Sequence, residues 1–408
     1  MRDVPLRPPA RLSAGVAVVV VSVNLRPGAA GVGPVLAELR AGLGVGGGYA
    51  GLLNGLPGLC FAVAGALAVG LARRIGTAAG IALGLVAAAA GLLLRATTGS
   101  AWLFLLLSTL ALAGMAVGNV LVPAWIKRFG GHRQVALATL YGTGLVVGGT
   151  LGSLLTAPLA ESLGGWDRAL GAWALPILLA LPLWLRLAAR ERRDRGPATV
   201  ARSGSVLPLG VAASPTAVAM TLLFGLQSMH AYVQMGWLPQ VYRDAGLSAV
   251  QAGGLQALLA ATSIVGSLAM PTVIVRAPSL APYMMTFGVL LASGYTGLVL
   301  APAEVPWLWA LMLGVAGFAF PLVIALLPAR THDPDVTARL SGFVQPVGYL
   351  AAAAGPVLVG MLHDATGGWT AVLVLLGATA VPFTLAGLRA VRPVLVDDEL
   401  ADAGRRHE

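Results

Sequence analysis

Apolar windows of about twenty residues, long enough to cross a bilayer as helix, recur along the chain at 12–35, 46–71, 77–97, 101–126, 134–160 and 168–188. They resume at 214–240, 249–275, 281–301, 305–329, 337–361 and 369–390. The pattern predicts an all-α polytopic membrane protein with twelve transmembrane helices in two groups of six. Between the groups lies the only long polar stretch, RLAARERRDRGPATVARSGS, which reads as a cytoplasmic linker. The predicted domains are a six-helix bundle at 1–188, a linker at 189–213, a second six-helix bundle at 214–391 and a cytoplasmic tail at 392–408.

Composition agrees with this pattern. The chain is 57% hydrophobic and 10% charged, where soluble domains carry about 25% charge, and its mean hydropathy is +0.84. The N-terminus is basic and then apolar, like a signal peptide. Its apolar run is too long for one and eleven further windows follow, so it reads as a retained first helix. A net charge of +10 does not point to nucleic acid, because the basic residues are spread over short loops. With both termini placed in the cytoplasm, 21 of the 26 lysines and arginines fall on the inner side of a plasma membrane, as the positive-inside rule requires. The single cysteine, Cys60, excludes an internal disulfide. The 54 glycines suit helices that pack closely in lipid.

The two halves repeat. Arg73 and Arg276, Gly114 and Gly317, Lys127 and Arg330, and Trp166 and Trp369 are each 203 positions apart. Ala-Gly-Leu at 41–43 recurs at 245–247, an offset of 204. Two pseudo-symmetric bundles of this kind place a substrate site at their interface, near the bilayer midplane.

Polar residues inside the windows mark candidate contacts. Arg26 lies halfway along the first window, and no Asp or Glu falls in any window. A guanidinium at bilayer depth costs several kcal/mol, about 3 on insertion scales, and stays charged. Such a charge faces protein or a wet cavity, and an anionic ligand is one partner for it. Pro27 follows directly; it removes a backbone donor and disfavours helix at the residue before it. The first helix should therefore open at Arg26.

In the seventh window Gln227, His230 and Gln234 share one face, and Trp237 extends the stripe. Carrying the 204 offset from Arg26 lands on His230. Cavity lining and hydrogen bonding between helices are both open to this stripe. The eleventh window presents Ser341, Gln345 and Tyr349 on one face. Asn54, Asn119, Tyr141 and Gln256 are single polar residues in windows two, four, five and eight, each as well suited to joining helices as to touching ligand. The glycine-rich fifth window (Gly142, Gly144, Gly148, Gly149, Gly152) reads as a close-packing surface.

Nothing in the sequence reads as an enzyme. There is no Cys/His metal spacing, no Gly-x-Ser-x-Gly elbow and no paired carboxylates at membrane depth. No metal, cofactor or nucleic-acid partner is expected.

The twelve-helix, six-plus-six plan with a basic central linker resembles the major facilitator superfamily. More specific is a resemblance to its cyanate/2-nitroimidazole porter family. It is carried by Asn24-Leu25-Arg26-Pro27, by Leu56-Pro57 with Leu59-Cys60-Phe61, and by Gly118-Asn119-Val120-Leu121 with Pro123. Further pieces are Gly225-Leu226-Gln227-Ser228, Trp237-Leu238-Pro239 with Arg243-Asp244-Ala245-Gly246-Leu247-Ser248, and Ser341-Gly342 with Gln345, Gly348 and Tyr349. The resemblance implies transport of small anions or nitro-aromatics, with Arg26, Gln227 and Tyr232 at matching positions, and His230 outside the family pattern.

The expected function is secondary active transport of a small anionic or nitro-aromatic solute by alternating access, in a monomer embedded in the lipid bilayer. Arg26 would hold the anion; Asn119, Gln227, Gln345 and Tyr349 would offer hydrogen bonds, and Tyr232 and Trp237 aromatic surface. Bringing a monovalent anion into a cell at about −100 mV costs about 2.3 kcal/mol. A proton is therefore a candidate co-substrate, with His230 its candidate carrier. The rivals are a drug-efflux exporter, which the lack of membrane carboxylates disfavours, and a transporter-like receptor without flux.

Overall fold

The structure, a computed structural model, describes residues 11–194 and 209–405. Most of the predicted linker lies outside them. The described residues contain helices and no strand. The first window is broken into α1 (Arg11–Asn24), the single turn α2 (Pro27–Ala30) and, beyond a 3-10 turn at Gly33–Val35, α3 (Leu36–Leu43). Next come α4 (Gly47–Ile75), α5 (Thr77–Arg95), α6 (Ala101–Phe129), α7 (Gln134–Leu163), α8 (Trp166–Ala172) and α9 (Ala174–Asp194). The second half holds α10 (Pro215–Asp244), α11 (Ala249–Arg276), α12 (Ala281–Leu300), α13 (Pro306–Ala316), α14 (Ala319–Ala329) and α15 (Pro334–Thr366). It ends with α16 (Thr370–Ala378), α17 (Ala380–Ala390) and α18 (Val396–Arg405).

Ten stretches among the described residues are long and apolar enough to cross a membrane. The two other predicted spans are present as helices: α4 with 29 residues and α10 with 30. Several helices outrun their apolar windows, because the hydrogen-bonded backbone continues past the point where side chains turn polar. Glu38, Glu161 and Asp364 thereby become part of span helices, near their ends. The rule that spans lack acidic residues holds for the apolar windows and not for the whole helices.

Contacts divide the chain into two units. One contains the described parts of Met1–Gly44 and Val63–Ser203; the other contains Val45–Ala62 and the described part of Gly204–Glu408. The first half of α4 therefore groups with the C-terminal helices.

Within the first unit, glycine lets backbones touch. A Cβ added at Gly114 of α6 would lie 2.3 Å from the Gly84 carbonyl oxygen of α5, and one at Gly84 would lie 2.7 Å from that of Gly114. Without a hydrophobic drive between helices in lipid, such close packing is what holds them together. At the other end of α5, Glu191 of α9 accepts the first free N–H groups, from Thr77 (3.1 Å) and Ala78 (2.7 Å). It also pairs with Arg128 at 3.5 Å. A carboxylate at a helix N-terminus satisfies orphan donors and the dipole together. Arg95, near the end of the third apolar window, is buried at 1% exposure.

In the second unit α4 and α15 meet in the same manner. A Cβ at Gly51 would lie 2.3 Å from the Pro356 carbonyl, and one at Gly360 would lie 2.1 Å from that of Gly47. Asp364 closes this pair by accepting the Gly47 N–H (2.6 Å) and the Gly48 N–H (3.3 Å).

The sequence read 392–408 as a tail, but α18 is folded against the unit. Val396 is fully buried. Glu399 accepts from Ser214 Oγ, from Thr216 N (2.9 Å) and Oγ1 (3.0 Å), and from Arg389. Burial raises the Glu399 pKa, but these donors outweigh it and hold the carboxyl below its usual range. A lowered carboxylate pKa contributes stability above the ordinary value of about 4.3 and loses it as pH falls through the folded value. Docking of α18 should hold at neutral pH and weaken progressively as pH falls below about 4. Glu399→Gln should loosen it at pH 7. Hydrogen exchange over 396–405 checks both.

Candidate functional site

The first unit carries the expected opening at Arg26. Its φ of −123° and ψ of −32° take it out of the helix, and Pro27 starts α2. The Arg26 carbonyl accepts from Ala29 N (3.1 Å) and Ala30 N (3.0 Å). Arg26 is half-buried, and its Cβ approaches Gly149 of α7, where an added Cβ would lie 3.7 Å away. The broken segment is laid into the glycine face of α7. Added Cβ atoms at Gly144, Gly148 and Gly152 would lie 2.0 Å from Ser22 Oγ, 2.0 Å from the Val23 carbonyl oxygen and 2.7 Å from Pro27 Cα. The glycine-rich fifth span is thus the bed of the first. On the same stretch of α7, Thr150 Oγ1 and Ser153 Oγ are buried without a hydrogen-bond partner.

Asn119 and Tyr141 come together. The Tyr141 hydroxyl is 2.6 Å from Asn119 Oδ1 and 2.9 Å from its carbonyl oxygen, which joins α6 to α7. This leaves the Asn119 amide N–H₂ facing outward from the pair.

In the second unit Tyr349 is the centre of an aromatic set. Phe61 stacks on it at 5.7 Å, Phe224 meets it edge-on at 4.9 Å, and Tyr232 lies tilted at 6.3 Å. Such rings offer flat apolar surface with a polar hydroxyl rim. Phe61 and Phe224 were not singled out by their spacing, since an aromatic residue in an apolar window carries no distinguishing signal. Gln227 is 5% exposed and makes no hydrogen bond among the described residues. Asn54 Nδ2 and Gln256 Oε1 are buried polar atoms without a partner. Asn54 rests on Gly236, where a Cβ would lie 2.2 Å from its side-chain carbon. Gln345 donates to Ser341 Oγ at 2.8 Å along α15.

The rest of the α10 stripe faces elsewhere. His230 is fully buried, with Nδ1 2.9 Å from Tyr295 Oη of α12 and Nε2 2.9 Å from Thr379 Oγ1 between α16 and α17. Gln234 Nε2 donates to the same tyrosine oxygen at 3.2 Å, and Thr379 Oγ1 donates to the Leu376 carbonyl at 2.6 Å. These bonds run in one direction: Gln234 to Tyr295, Tyr295 to Nδ1, Nε2–H to Thr379, and Thr379 to Leu376. The network fits a neutral His230 with its proton on Nε2. His230 and Gln234 thus join helices, which corrects the cavity-lining reading for both. Trp237 is also engaged: its Nε1–H donates to the Pro356 carbonyl at 3.0 Å and its ring packs on Trp369 at 5.7 Å.

His230→Asn should therefore leave the pH profile of transport unchanged while costing about 1–3 kcal/mol of stability through orphaned partners. Flux against pH in proteoliposomes, with a thermal melt, checks this. The sequence equivalence of Arg26 and His230 is not matched in their surroundings. One sits at a break and the other in the middle of the unbroken α10.

Comparison with known proteins adds a family. The Major Facilitator Superfamily profile matches residues 18–356. The chain is 32% identical over 376 residues to the 2-nitroimidazole transporter of Escherichia coli (strain K12), covering 92% of this chain and 94% of that protein. It is 30% identical over 354 residues to the cyanate transport protein CynX of the same organism, covering 86% and 90%. Among solved structures, the D-xylose-proton symporter superposes with a TM-score of 0.72 at 16% identity, covering 95% of this chain and 99% of that one. This last likeness concerns the fold alone.

Proposed function

Because this chain belongs to the major facilitator superfamily and is a multi-pass membrane transporter of the cyanate/2-nitroimidazole type, we propose that it carries a small planar anion or nitro-aromatic solute by alternating access. The observation that supports this most is the position of Arg26, at an opened helix where regular backbone pairing stops. A guanidinium offers two parallel N–H donors, which suit a carboxylate, a cyanate or a nitro group. Thr150 and Ser153 on the adjoining α7 have hydroxyls free to bond to a solute. The Asn119–Tyr141 pair is a further polar contact in the first unit.

The second unit is proposed to contribute Gln227, Asn54, Gln256 and Gln345 as hydrogen-bonding groups, and Tyr232 and Tyr349 as aromatic surface. This assignment favours a solute that is both flat and polar. The bundle assignment at 1–188 and 214–391, the monomeric state and cytoplasmic termini in the plasma membrane belong to the same proposal.

Thermal melts of the purified protein with cyanate, nitrate, benzoate and 2-nitroimidazole test it, followed by flux into proteoliposomes. A ligand at 100 times its Kd adds about 2.7 kcal/mol. Stabilisation by a planar anion or nitro-aromatic, together with flux, is expected. Stabilisation without flux would identify a receptor, and efflux of bulky cations would identify a drug exporter; either result overturns the proposal.

A further inference from the structure

Where the single turn α2 ends, the Gly28 carbonyl is left without its helical donor. In a continuous helix Val32 N–H would reach Gly28 O, but here it bonds Ala29 O at 3.2 Å. Arg95, the last residue of α5, fills the place: its Nη2 donates to Gly28 O at 3.0 Å. Its Nη1 donates to Ser108 Oγ of α6 at 3.3 Å, and the guanidinium lies 5.6 Å from the centre of the Phe104 ring. Arg95 forms no ion pair among the described residues. A buried cation held only by neutral groups is expensive in a membrane protein. The end of α5 lowers that expense, since a helix C-terminus favours positive charge, but an uncharged residue there would have avoided it.

What the interaction provides is orientation. A one-turn helix such as α2 has too few hydrogen bonds to fix its own direction. On one side α2 rests on the glycines of α7, and on the other its freed carbonyl is held by Arg95. Arg26 leaves the chain two residues before that carbonyl. We propose that Arg95 is a positioning residue, which through Gly28 O sets the direction in which Arg26 is presented. The proposal rests on the reading of Arg26 as the anion contact, and its test includes an arm that does not.

The full-length protein in proteoliposomes is assayed with cyanate. Arg95→Gln should raise the half-saturation concentration about tenfold with maximal flux within about threefold of wild type. The substrate-free arm uses Arg26→Cys in a Cys60→Ala protein, and follows reaction of the introduced thiol with a negatively charged methanethiosulfonate. Adding Arg95→Gln should change that rate at least about fivefold. Should Arg95→Gln not fold, Arg95→Lys keeps the cation but lacks the fork that reaches Gly28 and Ser108 together. It should shift half-saturation and labelling rate in the same sense by about threefold.

A folded variant that loses only thermal stability, with half-saturation and labelling rate unchanged, overturns the proposal. If Arg26→Ala leaves cyanate flux intact, or wild type carries no cyanate, the anion reading fails and the labelling arm alone decides on Arg95.

Discussion

Arg26→Ala should abolish substrate-dependent flux in proteoliposomes while the protein still folds and inserts. Losing a charge-assisted, bidentate contact to a desolvated anion costs about 2–5 kcal/mol, or about 30- to 5,000-fold in affinity. Folding should survive because Arg26 is only half-buried and sits outside helical geometry at the start of α2. Alanine there removes no helical hydrogen bond, since the Arg26 carbonyl still accepts from Ala29 and Ala30. Arg26→Lys separates charge from shape: an ammonium keeps the field but not the planar fork. Binding of a round anion should then survive better than that of a planar one. Monodisperse Arg26→Ala protein that transports at the wild-type rate would remove the anion contact from the proposal.

Gly148→Leu should have the largest structural effect. An added Cβ at Gly148 would stand 2.0 Å from the Val23 carbonyl oxygen, so a backbone and not a flexible side chain is in the way. Overpacking a core costs about 1–3 kcal/mol where side chains can yield, and more where they cannot. Here relief requires α1 to lift from α7, which also carries Arg26 away from Gly149. Gly142, on the same helix, has nothing within 4 Å of its added Cβ. Gly142→Leu is therefore the control, expected to express and melt like wild type. Membrane yield, size-exclusion profile and melting temperature of the two variants decide the matter. Equal behaviour would show that the close approach of α1 and α7 is not needed.

These two substitutions touch parts of the chain that were legible to different degrees. Arg26 could be found from its type alone, because a permanently charged group among apolar residues has a cost that no local structure removes. Pro27 made the opened helix predictable in the same way. The glycines of α7 announced close packing, but not that the partner would be the broken first helix. That depends on which helices become neighbours, and a glycine carries no mark of its partner.

The stripe on α10 shows the limit more sharply. Its spacing established that Gln227, His230 and Gln234 share a face. A helical face is about 100° wide or more, and within it Gln227 is left without a hydrogen bond while His230 and Gln234 meet Tyr295. Tyr295 and Thr379 lie 65 and 149 positions from His230, beyond the reach of any periodicity. Arg95 was not singled out, for a related reason. It lies near the end of an apolar window, where a long charged side chain can reach out to the interface, and its bonds to Gly28 and Ser108 hold it inside instead.

By itself the sequence determined the features that arise from local chemistry. Apolar length dictates helices long enough to cross a bilayer, and a proline beside an arginine dictates a break. It also carried the resemblance that the family comparison bears out. The tertiary structure alone decided which polar groups are satisfied by neighbours, because a hydrogen bond depends on where two distant backbones place their atoms to within a few tenths of an ångström. It turned His230 into a joint, α18 into a docked helix and Arg95 into the support of the opened turn that carries Arg26.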